Sequence, residues 1–215
     1  MLPAMRHRRR ILLALVLGTL CACAPRGVQE LPLLVDWSAR QQILSALQVW
    51  SLRGRVNIRT ADDNSSGSLV WEQDAERFRA LIDGPLGIGG LRIVGDPAAV
   101  TISGGRIETT TVADPARELL RQTGVAVPVN GLRYWLLGIP IPGIDAAVSL
   151  TAQNVAQQID QQGWSIQITE YRRWNLNLLP RKLIATSGDT RLMVVVGDWD
   201  IREQSASKTM GGGSR

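Results

Sequence analysis

The residues able to do chemistry in this 215-residue chain are few, and most sit in its first 23 positions. His7 is the only histidine, and Cys21 and Cys23 are the only cysteines. Catalysis of the Ser-His-Asp or Cys-His kind needs an imidazole beside the nucleophile, and zinc sites are built mainly on histidine and cysteine. The pattern around these three residues points elsewhere. Arg6, Arg8, Arg9 and Arg10 make a positive start, Ile11 to Leu20 an apolar run, and Leu20-Cys21-Ala22-Cys23 a lipobox. Such a run is too short to span a bilayer and suits a secretory signal. The chemistry expected at Cys23 is therefore lipidation after cleavage behind Ala22. Cys21 is the poorer acceptor, because bulky Leu20 would stand directly before it. Cleavage removes His7 and Cys21, so residues 1–22 are signal and no disulfide can form within the mature chain.

Other chemistry is thin. Asp62, Asp63, Glu72, Asp74 and Glu76 are expected to gather near one end of a hairpin, where a general acid–base pair is conceivable but an exposed turn is the plainer reading. The glycines of Gly84-Pro85-Leu86-Gly87-Ile88-Gly89-Gly90 superficially suggest a phosphate cradle. Arg92 stands where a third glycine is needed, and no helix follows. No cofactor is expected. The formal charge of +5 comes from 24 basic and 19 acidic residues, and four of the arginines leave with the signal. The mature chain keeps 20 against 19, which removes the motive for a nucleic-acid partner.

The elements that would carry these residues can be read from periodicity. Residues 23–35 form a lipidated linker with Pro25, Gly27 and Pro32. Asp36 caps a helix from Trp37 to Gln48 with a stripe of Trp37, Ile43, Leu44 and Leu47. From Trp50 the period is two, with Arg53, Arg55 and Arg59 on a solvated face. Asp62 to Gly67 is expected to be a turn, and strands follow around Leu69–Trp71, Phe78–Ile82, Leu91–Val94, Val100–Ser103 and Ile107–Val112. Asp114 and Pro115 start a helix with Leu119 and Leu120 on its apolar side and Gly124 as its stop. A second short helix near Asn130 carries Val129, Leu132, Trp135 and Leu136. Strands return at Ala146–Thr151, Val155–Asp160, Trp164–Tyr171, Lys182–Thr186 and Arg191–Val196. The fold expected for residues 36–203 is mainly β: an antiparallel, full or partial barrel of about 11 strands, closed on one face by helices. Residues 204–215 read as a disordered tail.

Seven tryptophans stand against one phenylalanine. Packed solidly they are core; around an open barrel, Trp50, Trp71, Phe78, Leu132, Trp135, Leu136, Trp164 and Trp199 would line an apolar cavity suited to acyl chains. The loop at Gly84–Gly90 is glycine-rich yet carries Leu86 and Ile88. Its composition alone turns Leu86 inward. A lipid anchor at Cys23 and an acyl-sized cavity give an outward Leu86 a purpose, with Ile88 turned inward.

An ordered series of residues resembles the LolB outer-membrane lipoprotein receptors. It runs from the lipobox at Cys23 through Trp50, Gly54-Arg55, Trp71 and Gly84-Pro85-Leu86-Gly87 to Asp114, Leu119-Leu120 and Gly124. It continues with Pro128-Val129, Leu132, Trp135-Leu136, Gly138-Ile139-Pro140, Gly163-Trp164, Tyr171, Leu179-Pro180 and Trp199. The Pro-rich segment from Ile139 to Gly143 departs from the pattern. The resemblance implies an open barrel with a helical lid like that of the soluble carrier LolA. It also implies a monomeric, non-enzymatic acceptor that takes lipoproteins from LolA, holds their acyl chains and inserts them into the inner leaflet of the outer membrane. Leu86, with Pro85, Gly87 and Ile88, falls on the family's protruding membrane-insertion loop. Ala24, where an aspartate would favour inner-membrane retention, implies the outer membrane, with the domain facing the periplasm. Two readings compete: a lipid-anchored module that binds a small apolar ligand or assists assembly, and a lipid-processing enzyme, which would need the carboxylate pair.

Overall fold

Alternation of apolar and charged residues from Val49 onward produces the strand on which everything else is laid. Strand β1 (Val49–Arg59) buries Trp50, Leu52 and Val56 and exposes Arg53, Arg55 and Arg59. The computed structural model describes residues 36–84, 90–104, 107–123, 127–174 and 177–202. The signal, Cys23, the linker, Pro85 to Gly89, Gly124 and the C-terminal tail lie outside the described residues.

Helix α1 (Trp37–Ser45) precedes β1. The Asp36 side chain accepts from the Ser38 backbone N–H (3.2 Å) and the Ser38 hydroxyl, which holds the Asp36 carboxyl below its usual range. Leu44 is buried as the spacing predicts, but Ile43 is 51% exposed and so stands off the expected stripe.

After β1 the chain runs as a meander through β2 (Asn64–Asp74), β3 (Arg77–Asp83), β4 (Leu91–Gly95), β5 (Val100–Gly104) and β6 (Ile107–Val112). The turn expected over Asp62–Gly67 is shorter, because Asn64 to Gly67 already pair with Arg59 to Val56. Helices α2 (Pro115–Thr123) and α3 (Val129–Leu136) follow. The second half comprises β7 (Ala147–Leu150), β8 (Ala156–Gln161), β9 (Trp164–Trp174), β10 (Asn177–Ser187) and β11 (Thr190–Arg202). The last two outrun the expected strands. Pro180 falls beside a register shift, where its missing N–H is tolerated, and pairing resumes at Lys182.

All eleven strands form one antiparallel sheet ordered β6-β5-β4-β3-β2-β1-β11-β10-β9-β8-β7. The first and last strands meet at the centre, where β1 pairs β11, while β6 and β7 are the free edges. The barrel is therefore open. A bulge at Arg53/Gly54 bends the central pair, and only glycine fits there, since a Cβ at Gly54 would run into the Val195 carbonyl. Twist curls the sheet so that alternate residues share one inner face.

The aromatic rings pack on that face in a continuous row. Trp174, Trp199, Trp50, Trp71 and Phe78 have successive centroid separations of 6.5, 5.3, 6.3 and 5.2 Å. The row crosses β9, β11, β1, β2 and β3 and fills the interior toward the end where β1 begins. Buried Gln73 accepts from the Trp71 indole (3.1 Å) and donates to the Ala75 and Arg77 carbonyls, fixing the β2–β3 turn beneath it.

Candidate functional site

Beyond the aromatic row the inner face is aliphatic. Val56 and Ile58 of β1, Leu69 of β2, Ala80 and Ile82 of β3, Leu91 and Ile93 of β4, and Leu192 and Val194 of β11 enclose a cavity of about 250 Å³. Val127, Leu119 of α2, and Val129, Leu132 and Leu136 of α3 roof it, and Trp71 reaches it from the row. Thr60, Asp63 and Ser65, in and beside the β1–β2 turn, are its polar residues and mark the mouth. Their groups are satisfied locally: the Thr60 hydroxyl accepts from the Asp62 and Asp63 N–H groups, and Ser65 donates to the Asp63 carboxylate at 2.6 Å. The cavity is thus an apolar pocket with a polar rim.

Of the eight candidates read from sequence, Trp71, Leu132 and Leu136 stand on the cavity wall. Trp50, Phe78, Trp135, Trp164 and Trp199 are buried but do not line it, and Trp164 borders an open groove between β7, β8 and the β10–β11 turn instead. Trp50, Phe78 and Trp199 belong to the aromatic row. Trp135 lies 6.1 Å from Trp164 under α3, on the far half of the sheet. The aliphatic wall, chiefly Ile58, Leu69, Ile82, Ile93 and Leu192, was missed. Its signal lies in the strand alternation, which marks these residues as inward-facing without telling wall from core.

The roof is held unequally. In α3, the Trp135 indole donates to Gln161 Oε1 (3.2 Å). The same oxygen accepts from the Ile141 N–H (2.9 Å), while Gln161 Nε2 donates to the Ile141 and Ile144 carbonyls (3.0 and 2.9 Å). One buried amide thereby ties α3 and its trailing loop to β8. Gly138, at φ +76°, makes the turn out of the helix, where a Cβ would press on the Pro180 ring and the Tyr171 hydroxyl. At its other side Arg133 donates to Glu76 (3.1 Å) and the Ala75 carbonyl (3.2 Å). In α2, Leu119 is buried, while Leu120, expected on the same apolar side, is 50% exposed. Beyond Leu119, α2 is joined to the sheet by the Gln122 amide on the Glu108 carbonyl (3.2 Å). Within α2, Arg121 and Gln122 both donate to Glu118 and hold its carboxyl at about 2. Sequence periodicity gave no hint of the Gln161 junction, since a glutamine at a strand end looks like any surface residue.

The expected carboxylate cluster does not form. Asp62 and Asp63 sit at one end of β2 and Asp74 and Glu76 at the other, about 35 Å apart at the rise of a strand. Glu72, Asp74 and Glu76 pair instead with Arg79 (3.7 Å), Arg77 (3.0 Å) and Arg133 (3.1 Å). Among the described residues no three His, Cys, Asp or Glu side chains gather as a metal site requires.

The architecture is a curled antiparallel sheet around an apolar pocket, roofed by short helices. The sequence profile of the family described as "Outer membrane lipoprotein LolB" matches residues 48–199. The chain is 33% identical over 193 residues to the outer-membrane lipoprotein LolB of Chromohalobacter salexigens, covering 89% of this chain and 88% of that one. It is 32% identical over 195 residues to the LolB of Pseudomonas savastanoi, covering 89% and 94%. A LolA superfamily protein from Nitrosomonas europaea superposes with a TM-score of 0.50 over 79% of this chain and 95% of its own, at 8% identity, which bears on the fold alone. The chain belongs to the LolB family of outer-membrane lipoproteins, a family of lipoprotein localisation and not of enzymes.

Proposed function

We propose that this protein is anchored by Cys23 to the outer membrane, faces the periplasm, receives lipoproteins from a LolA-type carrier and passes them into the inner leaflet. The observation that carries the reading is the aliphatic cavity under α2 and α3 in a chain of this family. The energetics suit a transfer without nucleotide. Withdrawing an acyl chain from water is worth ~0.8 kcal/mol per methylene, on the order of 12 kcal/mol for sixteen carbons. An acceptor that holds the chain less firmly than a bilayer, and far better than water, lets it run downhill.

The cavity volume sets a condition. About 250 Å³ lies below the roughly 300–1,000 Å³ of ordinary ligand pockets, so cargo chains require the roof to give way. The same volume favours the second reading, a module for one small apolar ligand. In the proposed cycle Leu86, with Pro85, Gly87 and Ile88, meets the lipid surface. Burying one leucine is worth about 1.5–3 kcal/mol, too little to drive insertion and enough to part headgroups.

The test uses mature lipidated protein in liposomes and a lipoprotein-loaded carrier. Wild type takes the cargo and inserts it, whereas Leu86→Glu takes the cargo and inserts it poorly. Full insertion by Leu86→Glu removes the loop from the account, and failure of wild type to take any cargo favours the small-ligand module.

A further inference from the structure

The strand register places two arginines directly opposite each other on the outside of the cavity mouth. Ile58 and Leu192 are cross-strand partners on β1 and β11, and both face the cavity. One residue further along the pair, Arg59 faces Arg191 on the opposite, exposed side of the sheet. Directly opposed residues have Cβ atoms only about 4.5–5.5 Å apart, and like charges so placed repel. Neither arginine forms an ion pair among the described residues, although Asp62, Asp63 and Asp189 lie in the adjoining turns. The row continues with neutral residues on either side: Asn64 beyond Arg59, then Thr186 and Ser165 beyond Arg191. A guanidinium pair flanked by amide and hydroxyl groups suits an anion whose oxygens spread over several donors, and a phosphate does so.

We propose that Arg59 and Arg191 dock the phosphate of an anionic lipid headgroup and so hold the cavity mouth against the membrane. This rests on the reading that the protein works at a bilayer surface, and it adds which end of the barrel faces that surface. Three observations favour lipid over an acidic protein. The strand β3 ends at Asp83, paired with Ser68, and β4 starts at Leu91, so the Gly84–Gly90 connection leaves from the same end of the sheet. The pair adjoins the cavity mouth, the place from which an acyl chain would leave. The tether also reaches: α1 leads into the opposite end of β1, and the 11 residues of β1 span about 36 Å at a strand's rise. The 13 residues from Cys23 to Val35 can extend to about 45 Å, so an anchored chain can still turn this end to the bilayer.

The experiment measures vesicle binding by the full mature chain carrying Cys23→Ala, which removes the anchor and leaves the surface. Vesicles of phosphatidylethanolamine alone are compared with vesicles in which roughly a third of the lipid is phosphatidylglycerol. Binding to the second kind is expected to be stronger and salt-sensitive. R59Q/R191Q should lower it about thirtyfold, at roughly fivefold for each charge. R59K/R191K should retain most of it. Because the pair is self-repulsive, R59Q/R191Q should melt no lower than the parent, which separates a lost contact from a damaged fold. Equal binding of parent and R59Q/R191Q overturns the proposal. Unchanged vesicle binding with weakened capture of the loaded carrier overturns it in favour of an acidic protein partner. Cargo uptake by the parent is scored in parallel, so a failure of the receptor reading shows itself separately from a failure of the headgroup site.

Discussion

The helices α2 and α3 roof one cavity, yet α3 carries more of the buried polar ties to the sheet. Trp135 is fully buried, its indole is held by Gln161, and Arg133 grips the β2–β3 turn. Among the described residues, the helix α2 buries Pro115 and Leu119 and donates the Gln122 amide to β6, and half of Leu120 faces water. The same contrast runs through the sheet. The half containing β7 to β10 buries Trp135, Trp164 and Ile166, whereas the half containing β1 to β4 surrounds the cavity with aliphatic side chains. Under the proposed function, volume for cargo would come from the side held by fewer buried polar ties.

Trp135→Ala breaks the fixed side with the largest expected effect. Removing a fully buried indole costs about 3–5 kcal/mol, read as a fall in urea midpoint. Gln161→Leu comes next at about 3 kcal/mol, because it strands the Trp135 N–H, the Ile141 N–H and two carbonyls together. Leu119→Ala in α2 should lie near the lower end of the leucine range, about 2 kcal/mol, since its site already borders a cavity. If Leu119→Ala destabilised as much as Trp135→Ala, the inequality between the helices would be wrong. Amide exchange sharpens the same point: α2 should open well below the global unfolding free energy and α3 close to it.

The smallest effect concerns pH. Tyr171 packs beneath the fixed side and donates to the Ala156 carbonyl (2.8 Å). Burial pushes its phenol well above its ordinary value near 10, with the Arg40 charge opposing only in part. The folded state therefore keeps a proton that the unfolded chain releases. That stability is complete below about pH 10 and is lost as pH rises toward the folded value. Tyr171→Phe should flatten the alkaline limb of a stability–pH curve, and an unchanged limb would exclude this origin.

How much of this could be read from the sequence depended on whether a local period carried it. The alternation from Trp50 to Ile58 gave β1, and the Asp36 and Asp114 caps gave the helix starts, because each is a short-range signal. The strands β10 and β11 were underestimated because Pro180 and Gly197 look like stops, and pairing to neighbours overrode them. The cavity wall was harder still. Burial of Ile82 or Ile93 follows from alternation, but whether a buried residue meets another side chain or open space depends on how far the sheet curls. Of the tryptophans chosen as wall residues, Trp71 lines the cavity and Trp50, Trp135, Trp164 and Trp199 do not, for that reason. The supposed carboxylate cluster failed because an 11-residue strand separates its members. Gln161 left no trace at all, since its four partner groups lie 17 to 26 residues away, in α3 and its trailing loop.

The most direct measurement is photo-crosslinking from half-buried positions on the two sides of the molecule. A photoreactive side chain at Leu132 or Ile82 lies on the cavity wall, and one at Tyr171 or Trp174 lies away from it. With lipoprotein delivered from its carrier, the first pair should capture acyl chains and the second should not. Equal capture from both sides, or capture only from Tyr171 and Trp174, would contradict the assignment of the cavity.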